Sequence, residues 1–203
     1  MVQSEMDGKA RFMTPITCSV YAEKLAGILR SYDWNTVEVF AEKLHQLSLA
    51  GGTLYICGNG GSAGNAIHLA NDFLYGICPS AEATIKVEAL SANAAVLTCL
   101  GNDTGFENIY AHQVKTKGKL GDILWVLSGS GNSPNIVKAV EQANATGVYT
   151  VGTLGYKGGK CLELVNLPIH FAVDDMQIAE DLQLVVGHML MRLLNTSLGN
   201  NHE

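Results

Sequence analysis

The sequence predicts a three-layer α/β/α protein with a mostly parallel, five-stranded sheet. Short, continuously apolar runs alternate with stretches of helical periodicity from Gly52 onward, as expected for strands covered on both faces. Two of those runs also break into small-residue turns, "GNGGSAG" and "SGSGNSPN", and each turn opens a helix. The 203 residues, 47% of them apolar, suffice for one generous core, so 1–203 is expected to be a single domain.

Residues 1–13 are polar and expected to be loose, and 14–51 form a helical N-terminal extension. A weak helical pattern covers Ile16 to Leu29. In the next one, Val37, Phe40, Ala41, Leu44 and Leu47 recur at helical spacing until Gly51-Gly52 stops it. "TLYIC" (53–57) then reads as a buried strand and Ser62 to Tyr75 as a helix. A second strand is expected at "TIKVEAL" (84–90), followed by helical stretches at 93–100 and 106–116 with a polar turn, "GNDTGF", between them. The third strand is "DILWVLS" (122–128), with a helix from Ser133 to Ala145. "VYTVGTL" (148–154) and "LPIHFA" (167–172) complete the sheet, and a long helix closes the chain from about Met176 to Leu198.

The net charge of −6 and the lack of any basic run argue against nucleic acid as a ligand. No stretch has the length and apolarity of a membrane span, and no secretory signal is visible, so the cytoplasm is the expected compartment. Five scattered cysteines without CxxC spacing fit reduced thiols used mostly for packing.

The two turns carry the first chemical signal. A glycine-rich turn that opens a helix presents free backbone N–H groups to an anion, and the hydroxyls of Ser62, Ser128, Ser130 and Ser133 add donors. Neither turn contains Lys or Arg, so hydrogen bonds and dipoles would hold the anion, each bond to a charged group contributing roughly 1.5–3 kcal/mol. Taken singly, each turn is better explained as tight-turn and helix-cap chemistry. Gly58 to Ala63 also fits GxGxxA, a dinucleotide fingerprint, but that reading leaves the second turn without a role. Two such turns at strand ends suit a small phosphorylated ligand gripped from both sides.

His68 and Asp72 provide the second signal. Spaced i, i+4, they share one helix face, where they could bind a metal, divide base and acid duties, or form an ordinary helix pair. The closing helix places Glu180, Asp181 and His188 in an otherwise apolar sequence packed through Leu182, Val185, Val186, Met189 and Leu193.

These pieces together resemble the SIS (sugar isomerase) domain family, and within it the phosphoheptose (sedoheptulose 7-phosphate) isomerases. The resemblance is carried by "AGGTLYICGNGGSAGNAIHLAND", "CLGNDTGFENIY", "GDILWVLSGSGNSPNIVKAV" and "DMQIAEDLQLVVGHML". It implies a flavodoxin-like sheet, a homotetramer with active sites at subunit contacts, and a sugar-phosphate substrate. By the same resemblance, Asn59, Gly60, Gly61, Ser62, Asn102, Asp103, Ser128, Gly129, Ser130 and Ser133 line the substrate pocket. His68, Asp72, Glu180 and His188 fall on the family's metal- and substrate-contacting positions, with Asp72 as the base and His188 as its acid–base partner.

Three positions depart from the family pattern. Gly129 stands where threonine is usual, Asp72 where glutamate is, and Glu180 where glutamine is. Two carboxylates and two imidazoles form a plausible zinc or manganese site. Glu180 and His188 are eight residues apart, about 12 Å along an ideal helix, so completion of the site by a neighbouring subunit is expected. A regulatory sugar-phosphate-binding protein on the same fold, of the kind that associates with a replication initiator, is the alternative to an isomerase.

Overall fold

The structure, a computed structural model, describes residues 17–77 and 85–197, so the expectation for residues 1–13 lies outside the described residues. The chain divides into two compact units, one ending at Tyr32 and the other beginning at Asp33.

The first unit contributes helix α1 (Cys18–Ser31), capped by Thr17, whose hydroxyl accepts the Val20 N–H at 3.3 Å. The second unit begins with α2 (Asn35–Ala50), which ends at Gly51 in the left-handed conformation (φ 68°) that glycine adopts without penalty. The remaining elements are β1 (Thr53–Cys57), α3 (Gly61–Asn71), β2 (Lys86–Ala89), α4 (Ala94–Thr104), α5 (Ile109–Lys117), β3 (Ile123–Ser128), α6 (Pro134–Ala145), β4 (Tyr149–Leu154), α7 (Cys161–Leu164), β5 (Leu167–His170) and α8 (Met176–Ser197).

All pairings in the five-stranded sheet are parallel, in the order β2-β1-β3-β4-β5. This is the flavodoxin order, in which the crevice at the carboxyl ends of β1 and β3 is the topological switch point. Both glycine turns leave the sheet there. Every residue of β3 is buried, which is why that run carries no polar alternation.

One face of the sheet packs Tyr55, Cys57, Leu124 and Val126 against Tyr110 and Val114 of α5 and Ile136 and Val140 of α6. On the other face, Trp125 meets Phe40 of α2 and Phe73 edge-on, with centroids 5.2 and 6.1 Å away, and its indole N–H donates to Thr153 Oγ1 at 2.9 Å. At the opposite end from the turns, buried Asp122 accepts the Thr53 N–H at 2.8 Å and the Lys119 N–H at 3.0 Å, tying the starts of β1 and β3 together.

Cys57 and Cys161 are buried thiols, Cys18 and Cys99 are exposed, and Cys78 lies outside the described residues. Burial, and then the Glu141 carboxylate, push the Cys161 thiol up to about 11; burial likewise raises Cys57 and the Tyr110 phenol. The native state therefore holds protons that the unfolded chain releases above its ordinary thiol value of 9.0. The Cys161 contribution is fully present below pH 9 and is lost as pH rises towards 11, and those of Cys57 and Tyr110 decline over a range that extends higher. Urea unfolding followed by tryptophan fluorescence should show stability lower by about 1–3 kcal/mol at pH 10.5 than at pH 8. Cys161→Ala should remove part of that slope.

Candidate active site

Two helices and two turns build the site. The first turn is shaped by glycines that a side chain would disrupt. Gly60 has φ 54° and ψ −122°, outside the regions open to other residues. A Cβ on Gly58 would lie 2.6 Å from the Ser62 backbone. The Tyr110 hydroxyl donates to the Gly58 carbonyl at 2.5 Å and holds the strand end in place.

The second turn is tied to the first by an amide pair. Asn59 and Asn135 each donate their side-chain N–H to the other's carbonyl oxygen at 2.8 Å, with Asn135 fully buried. Sequence reading named Asn59 but missed Asn135, which is visible in the sequence only as one more polar residue after Pro134. Within the second turn, Ser128 Oγ accepts the Gly131 N–H at 3.1 Å and Ser130 Oγ accepts the Asn132 N–H at 3.2 Å, leaving both hydroxyl protons free to donate. Ser133 precedes α6 and makes no side-chain cap hydrogen bond. Gly129 faces Met176, whose sulfur would stand 2.5 Å from a Cβ at that position.

From the first turn, α3 and α8 run side by side in the same direction. Gln183 Nε2 donates to Ser62 Oγ at 3.0 Å, and Asn65 Nδ2 donates to Gln183 Oε1 at 2.9 Å and to the Glu180 carbonyl at 3.1 Å. The two helices approach so closely that a Cβ on Gly187 would lie 2.2 Å from Leu69 Cδ2. This approach brings His188 onto α3. His68 Nε2 stands 3.2 Å from His188 Nε2, and Asp72 Oδ2 stands 3.2 Å from His68 Nε2 and 3.5 Å from His188 Nε2.

Asp72 opens a π-helical turn, Asp72–Gly76, that continues from α3. Single π turns within α-helices concentrate at functional sites. The continuous α-helix expected from Ser62 to Tyr75 thus changes hydrogen-bond register at the carboxylate. The Asp72 side chain is 18% exposed, whereas the imidazoles are about half exposed, so the cluster opens to solvent through the histidines.

His68, Asp72 and His188 are the described group that could hold a metal, their ligand atoms all lying within 4.8 Å of one another. The donor set fits zinc. Ligand atoms about 2.0–2.1 Å from a tetrahedral zinc stand about 3.3–3.4 Å apart, close to the three separations here. The fourth expected ligand stands elsewhere: the Glu180 carboxylate packs against Gly61, where a Cβ would lie 2.4 Å from Oε2. Eight residues of α8, about 12 Å of rise, separate it from His188. Asn102 and Asp103 stand exposed on the last turn of α4, with Asn102 Nδ2 donating to Asp103 Oδ1 at 2.7 Å and Cys99 Sγ lying 3.5 Å from Asp103 Oδ2. Among the described residues, no hydrogen bond links them to either glycine turn.

The molecule is thus an α/β protein with two glycine-serine turns at its switch point and, at the far end of α3, a His-Asp-His group that could hold a metal. It belongs to the SIS domain family, whose sequence model matches residues 20–155. A phosphoheptose isomerase of Rhodospirillum rubrum is 41% identical over 149 residues, covering 73% of this chain and 79% of that protein. One from Synechocystis is 32% identical over 179 residues, covering 87% and 92%. The solved structure of a phosphoheptose isomerase from Francisella tularensis superimposes with a TM-score of 0.83 at 25% identity, covering 88% of this chain and 96% of the other.

Proposed function

We propose that the protein is an aldose–ketose isomerase that converts sedoheptulose 7-phosphate to D-glycero-D-manno-heptose 7-phosphate through an enediol. The observation that carries this reading is the Asp72 carboxylate, held within 3.5 Å of two imidazoles, His68 on the helix that leaves the first glycine turn and His188 on α8. Six residues of α3 separate Ser62 from His68, about 9 Å of rise. An anchor and a reacting end that far apart suit a long, open-chain sugar phosphate.

Serines 62, 128, 130 and 133 and the N–H groups of both turns hold the phosphate, aided by Asn59, Gly60, Gly61 and Gly129. Asp72 removes a proton from C1 of the ketose and returns it at C2. His188 donates a proton to the C2 oxygen as the enediol forms and accepts one from the C1 oxygen as the aldehyde appears. Asn102, Asp103 and Glu180 are read as partners of the sugar hydroxyls. A zinc or similar divalent ion, held by His68, Asp72 and His188, would supply polarisation of the carbonyl, whereas Glu180, seated against Gly61, lies away from that group.

We read the assembly as a homotetramer with active sites at subunit contacts. A cavity of about 640 Å³ beside His188 is lined by Trp34, Val37, Val185, Met189 and Leu193. Such an uncovered apolar surface next to a half-exposed catalytic histidine suits coverage by another copy. No helix among the described residues is long and apolar enough to cross a membrane. The cytoplasm is the compartment we assign, consistent with the free thiols at Cys57 and Cys161.

A proton NMR time course with sedoheptulose 7-phosphate in D2O tests the reading. The expected result is aldose carrying deuterium at C2, with turnover reduced by chelation and restored by zinc. Binding without turnover would instead place the chain among the regulatory sugar-phosphate-binding proteins.

A further inference from the structure

The loop between β4 and α7 carries Lys157, a cation of the kind that neither glycine turn possesses, to the lining of a cavity shared with the β3 turn. After Leu154 the chain reads Gly155-Tyr-Lys-Gly-Gly-Lys160 and folds onto the β3 turn. The Cys161 N–H donates to the Gly131 carbonyl at 3.0 Å, and the Lys160 N–H donates to Asn132 Oδ1 at 3.0 Å. Between loop and turn lies a cavity of about 510 Å³ whose lining includes Ser130, Asn132, Tyr156, Lys157 and Asp174.

The loop is held in a fixed conformation. Among the described residues, Tyr156 alone of the non-glycines has a positive φ (45°), a disfavoured state for a bulky side chain. Two contacts pin it there: its N–H donates to the Val173 carbonyl at 3.0 Å, and its carbonyl lies 3.0 Å from His170 Nε2. The Tyr156 ring reaches within 3.8 Å of where a Cβ on Gly129 would stand, and Met176 fills the rest of that space. This is the position where the family resemblance calls for a threonine hydroxyl.

The charges lining the cavity are unspent. The Lys157 ammonium is exposed and, among the described residues, has no hydrogen-bond or ion-pair partner. Asp174 lines the same cavity without pairing with it. The Ser130 hydroxyl retains a proton to donate beside them. A cation and a hydroxyl donor, with a carboxylate near by, match a phosphomonoester on a polyhydroxy chain better than either a bare anion or an apolar ligand.

We propose that this cavity is a phosphate subsite of the sugar-phosphate site, in which Lys157 supplies the counter-charge to a phosphate seated on the β3 turn and Asp174 weakens that hold. The proposal rests on the sugar-phosphate reading above and adds two residues to it.

The test uses the full-length protein and its Lys157→Met, Lys157→Arg and Asp174→Asn variants. It measures KM and kcat for sedoheptulose 7-phosphate, and the inhibition constant of inorganic phosphate at low and moderate salt. Lys157→Met should raise KM and the phosphate constant together by about 10- to 100-fold, change kcat by less than about twofold, and flatten the salt dependence. Lys157→Arg should keep most of the affinity, and Asp174→Asn should lower both constants, a change of opposite sign that general loosening of the loop would not produce. A Lys157→Met protein whose KM and phosphate constant stay within about twofold of the parent overturns the proposal and leaves the isomerase reading standing. If the parent turns over no sugar phosphate, the isomerase reading fails separately. Phosphorus NMR titration of parent and Lys157→Met with inorganic phosphate then decides the subsite, equal affinities counting against it.

Discussion

Asp72→Asn should stop isomerisation and leave the fold in place. The substitution keeps the size of the side chain and one carbonyl oxygen for the His68 contact at 3.2 Å, so the α3–α8 packing has no reason to change. It removes the group that can take a proton from carbon. General acid–base catalysis by a positioned side chain is worth about 10²- to 10⁴-fold, and kcat should fall by that factor while KM changes little. Because Asp72 also belongs to the group that could hold a metal, the same protein must be assayed for bound metal with zinc in excess. Loss of kcat with zinc still bound isolates the proton-transfer role. Loss of both assigns Asp72 to the metal first. A kcat within tenfold of the parent would remove Asp72 from the mechanism altogether. Asp72→Glu gives the complementary result, since it adds one methylene of reach towards both histidines without changing the charge. It should retain turnover that asparagine abolishes, though a displacement of about 1 Å can itself cost on the order of a hundredfold.

The strands and the His68–Asp72 pair were legible in the sequence because each depends on local periodicity. β1 matched the expected Thr53–Cys57, and β3 and β4 began one residue later than expected, because fully covered strands read as unbroken apolar runs bounded by turn residues. The spacing of His68 and Asp72 was legible for the same reason. The change of register at Asp72 was not, since a π turn alters which carbonyl each N–H meets while the apolar pattern continues unchanged. α7, a single turn at Cys161–Leu164, is too short to show a period. The helix expected to end near residue 100 continues to Thr104, because Gly101 lies within it and the stop is Gly105 at φ 91°.

Long-range meetings were harder still. His188 reaches His68 because Gly187 lets α8 approach Leu69, a contact across more than a hundred residues that no window of sequence encodes. The Asn59–Asn135 amide pair joins two turns that sequence reading treated as independent. The resemblance to a family supplied the grouping of His68, Asp72, Glu180 and His188. The geometry gathers three of them and sets Glu180 beside Gly61, nearer the cradle than the cluster.

The glycines of the two turns look alike in sequence, yet they have different physical tasks, and Gly131 should be the least replaceable. At Gly61 the obstacle to a Cβ is the end of a side chain, Glu180, which can swing away. At Gly131 a Cβ would lie 1.9 Å from the Gly158 carbonyl oxygen and 2.6 Å from its carbon, backbone against backbone, with φ at 63°. No rotamer change relieves that overlap, so the β4–α7 loop must lift off the β3 turn and lose the Cys161-to-Gly131 hydrogen bond of 3.0 Å. Overpacking of this kind costs roughly 1–3 kcal/mol, and a strained left-handed residue adds about 1 kcal/mol or more. Gly131→Ala should therefore lower Tm by roughly 5–15 °C and weaken sugar-phosphate binding at least tenfold. Gly27→Ala provides the contrast. Nothing lies within 4 Å of its Cβ, it sits within α1, and alanine there should stabilise the helix by up to about 1 kcal/mol. If Gly131→Ala melts and binds like the parent, the close seating of the loop on the turn is wrong, and the cradle is held together by the β3 turn alone.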